Sequence, residues 1–154
     1  MVSPANSFGF MDGGLDLAIA HTLGSNMQRK VQGDIEAEFR GELPVGQCHI
    51  TETGNASWPW LAVLPTMRVP SDIRGTLNVY HAFRALLLAI SRQQALGKTV
   101  NTVLCPGLGT GIGCVSPTNC AGQMEAAYRQ VLGPEKIPSA REVLQWHAEL
   151  EKFI

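Results

Sequence analysis

The stretch Pro106-Gly107-Leu108-Gly109-Thr110-Gly111-Ile112-Gly113 puts glycine at every second position from 107 to 113. Residues 100–105 before it are short and rich in branched side chains, which reads as a β-strand. Ser116-Pro117 after it is an N-cap followed by a first-turn proline, opening a helix with Ala121, Met124, Tyr128 and Val131 on one face. Glycines between a strand end and a helix start let the backbone approach a ligand closely, and the N–H groups there favour an anion. A tight surface turn is the plainer reading of the same residues.

Working outward from this loop, residues 60–64 are apolar throughout and read as a strand buried on both faces. Residues 77–96 carry Val79, Tyr80, Phe83, Leu86, Leu87 and Ile90 at helical spacing and stop at Gly97, a helix crossing between two strands. A further strand is expected over 48–51, and helices over 15–23 and 25–39, the latter stopping at Gly41. Ser139-Ala140-Arg141-Glu142 is a capping box that opens a terminal helix within 139–154, with Val143, Trp146, Leu150 and Phe153 as its apolar stripe. Alternating helices and strands predict an α/β domain whose ligands bind at the carboxyl ends of its strands. A second loop of the same kind, from Ser3 to Gly14, precedes the first helix.

The 154 residues make one domain, 1–154. A net charge of −1 lacks the basic footprint of nucleic-acid binding, and no apolar run approaches a membrane span. The start, Met-Val-Ser-Pro-Ala-Asn, has no signal-peptide pattern, so a cytoplasmic location is the default expectation. Cys48, Cys105, Cys114 and Cys120 lack zinc spacing, which predicts free thiols and no metal or other cofactor. The standard phosphate loops fail on spacing. A Walker loop needs a lysine behind its last glycine, and the nearest lysine before this loop is Lys98. A dinucleotide fingerprint would need glycine at Ile112 or at Cys114.

Taken together, the two loops resemble the macrodomain family, which binds or processes ADP-ribose (Appr-1-p processing). The family's first loop reads Asn-Ala-Ala-Asn, then a glycine run and Val-Asp; here Ser3-Pro4-Ala5-Asn6 leads to Asp12-Gly13-Gly14-Leu15-Asp16, in the register of the hydrolase-type branch. The family's second loop, Gly-Thr-Gly-Ile/Val-aromatic-Gly, is similar to Gly109-Thr110-Gly111-Ile112-Gly113. The resemblance covers roughly 2–133 and implies a three-layer α/β/α mixed sheet. It implies that Ala5, Asn6, Gly13, Gly14, Gly109, Thr110, Gly111, Ile112 and Gly113 line an ADP-ribose site. Within it Asn6 would hold the distal ribose and Asp16 would orient or activate water, the two catalytic candidates. Asn6 also suits a plain turn, and an acidic residue such as Asp16 suits any first helical turn.

Departures from the family pattern shape the expectations. Relatives carry one or two strands and a short helix before the first loop, with an acidic residue that recognises adenine; this chain opens at the loop itself. That predicts an unpaired sheet edge, with either a homodimer or a natural start further upstream, and weak discrimination for adenine. Gly113 replaces the family's aromatic residue, Cys114 its last glycine, and Met11-Asp12 interrupts the first glycine run. Three functions stay open: hydrolysis of ADP-ribosyl linkages at the distal ribose, binding of ADP-ribose without turnover, and a structural or interaction role after loss of the ligand. His21, His49, His81 and His147 show no carboxylate at useful spacing, and Arg68 reads as a solvated loop residue.

Overall fold

A computed structural model describes residues 1–154. Its elements, in order, are β1 (Val2–Ser3), α1 (Gly14–Leu23), α2 (Met27–Phe39), β2 (His49–Glu52), β3 (Trp60–Val63), α3 (Asn78–Ala95), α4 (Pro117–Val131), α5 (Ala140–Leu150) and a closing 3-10 turn, Glu151–Phe153. The alternation along Leu61-Ala62-Val63-Leu64 builds the layers, because successive strand side chains point to opposite faces. Leu61 and Val63 pack with Ala5, Ile19, Val31 and Ile35 under α1 and α2. Ala62 and Leu64 pack with Val79, Ala82, Leu86 and Leu108 under α3 and the loop that leads to α4. The sheet therefore lies between two helical layers, with strand order β1-β3-β2. β1 runs parallel to β3 and β2 antiparallel to it, so the sheet is mixed, as expected.

Three local expectations are corrected. The chain does not open directly on the loop: Val2–Ser3 is a strand in register with Ala62 and Val63. Residues 100–105 are not a ladder strand; their one backbone bond runs from the Val2 N–H to the Leu104 carbonyl, 3.0 Å. A cavity of about 380 Å³ is lined by this segment, the sheet and α3, and no strand pairs with the segment's outer side. The stripe of α5 is also largely unburied, with Leu150 covered and Trp146 41% exposed. This helix packs chiefly on α4 and the 3-10 turn, which leaves Val143 47% and Leu144 71% exposed.

On α4 the buried positions are Cys120, Gly122, Gln123 and Ala127 rather than Ala121 and Tyr128. A polar residue can take the inner face because all its hydrogen-bonding atoms find partners. The Gln123 amide donates to the carbonyls of Thr76 and Phe153 (2.9 and 2.8 Å), and its oxygen accepts from the Tyr80 N–H (3.0 Å). No helix is long and apolar enough to cross a membrane.

Candidate functional site

Val2 and Leu104 touch through one hydrogen bond, and each glycine loop begins two residues further along, at Pro4 and at Pro106. The two loops therefore leave adjacent chain segments side by side. The long 65–77 connection lies against both: Asn6 bridges to Met67, and the Ile73 N–H donates to the Gly113 carbonyl at 3.0 Å.

Polar anchoring holds the first loop. The Asn6 side-chain oxygen accepts from the N–H groups of Phe8 and Phe10 (3.0 and 3.3 Å), and its amide donates to the Phe10 carbonyl (3.0 Å). Asn6 thus templates its own loop and keeps one amide hydrogen free. From α2, the Gln28 oxygen accepts the Met11 N–H (2.7 Å) and the Gln32 amide donates to the Phe8 carbonyl (3.3 Å). Gly9, at φ +66°, sits so close to α2 that a Cβ would come within 2.9 Å of both Ile35 and Val31. Ala5 is buried in the core, so only its backbone faces the loop. Outside, Arg68 clasps the Glu42 carboxylate with two bonds (2.8 and 3.0 Å) and lies 5.0 Å from the centre of the Phe8 ring. Its side chain stays 64% exposed, so Arg68 is a solvated loop residue that also bonds Glu42. Gln28, Gln32, Glu42 and Gly9 were missed in the sequence; the four-residue spacing of Gln28 and Gln32 on one helix face was the available signal.

Packing holds the second loop. Gly109 is in the left-handed region (φ +69°), and a Cβ there would come within 2.8 Å of Ile73. At Gly113 a Cβ would come within 2.6 Å of the Gly109 carbonyl oxygen and 2.8 Å of Ile73. Gly109 and Gly113 are buried, whereas Thr110, Gly111 and Ile112 are exposed, Ile112 by 63%. Gly111 has no heavy atom within 4 Å of a Cβ and an ordinary φ, so it is free of conformational strain. Cys114 takes φ +55° at the position where the resemblance implies glycine. Ile73 carried no sequence signal, because it lies 40 residues from Gly113.

Backbone donors mark the space the loops enclose. The N–H groups of residues 109–113 have no acceptor in the protein. Those of Gly14, Leu15 and Asp16 are free as well, at the start of α1, where Gly13 gives no side-chain cap. Free N–H groups and the positive end of a helix dipole attract an anion. Asp16 stands at this helix start, accepting a 2.7 Å hydrogen bond from the Ser3 hydroxyl. Burial raises its carboxyl above the ordinary range, and the Ser3 bond opposes that only partly. Phe10, 49% exposed, is the aromatic ring the first loop presents.

Other titratable groups lie elsewhere. His49 does find carboxylates, contrary to the sequence reading: Nε2 is 3.2 Å from Asp34 and Nδ1 is 3.4 Å from Glu38. They sit on α2, brought against β2 by the fold, in a structural cluster that also includes Thr51. The four cysteines are free thiols; burial pushes Cys105 up to about 11 and Cys48 up to about 12. No group of His, Cys, Asp and Glu is arranged to hold a metal.

Comparison with known proteins agrees with this geometry. The Macro domain family model matches residues 2–124. An uncharacterized protein of Aquifex aeolicus is 30% identical over 130 residues, 84% of this chain and 72% of that protein. Among solved structures, the Oceanobacillus iheyensis macrodomain, a mutant with ADPR, superimposes with a TM-score of 0.72 at 18% identity, covering 98% of this chain and 83% of that one. The macrodomain of Mycobacterium tuberculosis DarG gives 0.69 at 19% identity, covering 84% and 80%. With a family model across most of its length and that family's fold in three layers, this chain belongs to the Macro domain family.

Proposed function

We propose that the domain binds ADP-ribose, or a group bearing it, across the two glycine loops, and that it hydrolyses the linkage at the distal ribose. The observation that carries the reading is the double set of free backbone donors, residues 109–113 and the uncapped start of α1, in a member of this family. A diphosphate carries charge at two centres, and two adjacent donor clusters suit it better than a single phosphate. In this reading Gly13 and Gly14 meet one phosphate, and Thr110, Gly111 and Ile112 the other. Asn6 offers its remaining amide hydrogen to a ribose hydroxyl, and Phe10 and Ile112 give the sugar apolar cover.

For the chemical step, Asp16 accepts a proton from water as that water attacks the anomeric carbon of the distal ribose. The bond from that carbon to the acceptor's oxygen breaks, the oxygen keeps the electron pair, and the proton taken up by Asp16 returns through solvent to the leaving acceptor. A carboxylate desolvated by its surroundings binds a proton more tightly and is a better base for this purpose. A second reading, binding without turnover, is favoured by the Ser3 bond, which turns the same carboxylate back toward β1.

Calorimetry with ADP-ribose tests the binding, and an unchanged Tm at millimolar ADP-ribose would refute it, since a ligand of the native state must stabilise it. Asp16→Ala separates the two readings. Hydrolysis predicts a rate lowered about 10²–10⁴-fold with affinity retained. Equal rates, or no turnover in the unmodified protein, leave a binding module.

A further inference from the structure

Two helices carry an acidic third residue, and they use it in opposite ways. In α5, Glu142 is third after the Ser139 cap, and its carboxylate accepts the Ser139 N–H at 2.8 Å, closing a capping box on the helix start. In α1, Asp16 holds the same place, third after the Gly13 cap. Its carboxylate accepts from no N–H of its own helix: Oδ1 takes the Ser3 hydroxyl at 2.7 Å, and Oδ2 meets no donor of the protein. An acidic side chain at this place is drawn to the positive end of the helix and to the N–H groups left open there. The opposite choice by Asp16 therefore has a cause outside α1. That cause is Ser3, which is 1% exposed and fixed in β1, in register with Val63 and with its carbonyl accepting the Leu64 N–H at 3.1 Å. The buried hydroxyl has no other bond, and a hydrogen bond to a carboxylate is among the stronger ones a hydroxyl can make.

We propose that Ser3 is a positioning residue for the ligand site: its hydroxyl draws the Asp16 carboxylate off the start of α1 and leaves the N–H groups of Gly14, Leu15 and Asp16 to the diphosphate. This role rests on the ADP-ribose reading above and adds to it the residue that keeps one of the two donor clusters open. Without the hydroxyl, the freed carboxylate settles on its own helix start, as Glu142 does in α5. There it occupies the donors and sets a negative charge against the incoming phosphates. Ser3 itself touches no ligand and acts only through Asp16. Its effect on binding must therefore vanish once the Asp16 carboxylate is removed, whereas a purely structural contribution of Ser3 would persist.

Calorimetry with ADP-ribose on the unmodified chain, Ser3→Ala, Asp16→Ala and the double variant is the first test. Ser3→Ala should raise Kd about tenfold. In the Asp16→Ala background the same substitution should change Kd by less than about twofold. An unchanged Kd in Ser3→Ala, or an equal loss in both backgrounds, overturns the proposal. Hydrogen exchange on the ligand-free chains is the second test. The amides of Gly14, Leu15 and Asp16 should exchange more slowly in Ser3→Ala, because the carboxylate now covers them, and regain the unmodified rate when Asp16→Ala is added. Equal or faster exchange in Ser3→Ala overturns the proposal, since a mere loosening of β1 would speed it. Failure of the unmodified chain to bind ADP-ribose overturns the binding reading alone, and the exchange rates still decide whether Ser3 withholds the carboxylate. Should Ser3→Ala not fold, Ser3→Cys keeps the volume, weakens the donor and takes its place in both tests.

Discussion

The two glycine loops are alike in composition and neighbours in space, yet they are held by different forces. Between Asn6 and Gly14, hydrogen bonds from Asn6, Gln28 and Gln32 fix the path of the backbone. Between Gly107 and Cys114 the side chains contribute little beyond the Thr110 hydroxyl on the Gly107 carbonyl (3.0 Å), and the loop is shaped by pressing Gly109 and Gly113 against Ile73. A loop held by polar bonds loses stability one bond at a time. One held by contact between backbone and a core side chain tolerates no added atom at the contact and almost any at its tip.

That contrast predicts the largest effect at Gly113. Gly113→Val should destabilise the fold by about 3 kcal/mol or more, because the new atoms meet the Gly109 carbonyl and Ile73 together. Gly111→Val should unfold within about 0.5 kcal/mol of the unmodified chain, yet abolish the ADP-ribose response by blocking close backbone approach. Urea denaturation of both variants decides the matter; equal losses would break the contrast within the second loop.

Asn6→Ala comes next. It removes one donated and two accepted hydrogen bonds, and a loss of about 1–3 kcal/mol is expected from the exposed but now untethered loop. Hydrogen exchange at Phe8 and Phe10 should rise with it, while the amides of Cys114 and Val115, bonded to the Gly111 and Gly109 carbonyls, stay protected as before. A loss confined to ligand affinity, with stability unchanged, would show that the Asn6 amide serves the ligand more than its loop.

Cys114→Gly should stabilise the second loop by up to about 1 kcal/mol, the strain of a side chain held at φ +55° less the entropy that glycine adds to the unfolded chain. Thermal denaturation reads it directly. A drop in Tm would mean that the thiol, which donates to the Ile112 carbonyl at 3.4 Å, contributes more than its backbone costs.

The smallest effect is a pH dependence at Asp16. Burial raises its carboxyl in the folded state above the unfolded value, so the native form binds the proton more tightly. Its contribution to stability is therefore present below the unfolded value and is lost as pH rises through the folded one. Asp16→Asn should remove that slope and raise Tm slightly at neutral pH. A steeper slope in the variant would mean that the carboxylate is stabilised where it stands.

Much of this is legible in the sequence. Ser116 caps α4 through Asn119 (3.0 Å), and Ser139 with Glu142 forms a full capping box, because a cap is a matter of residues three apart. The failures share a cause. Residues 100–105 have the branched composition of a strand, but a ladder depends on neighbours, and only β1 lies alongside. Trp146 follows helical spacing faithfully, yet it stays 41% exposed. His49 lies 15 residues from Asp34, and only the approach of α2 to β2 in the fold makes them partners.

The sequence by itself determined the family, the five helices and the two strands of the central antiparallel pair, the places of both glycine loops and the caps that start the last two helices. Each follows from short-range chemistry: backbone freedom at glycine, side-chain oxygens within one turn of an N–H, and apolar spacing. Only the tertiary structure decided which of those glycines are exposed and which are wedged against Ile73, that Asp16 lies against Ser3, and that the segment at 100–105 keeps an unpaired edge. Those facts join residues 13 to 102 positions apart, and a contact at such separation exists only once the chain has closed around its two cores.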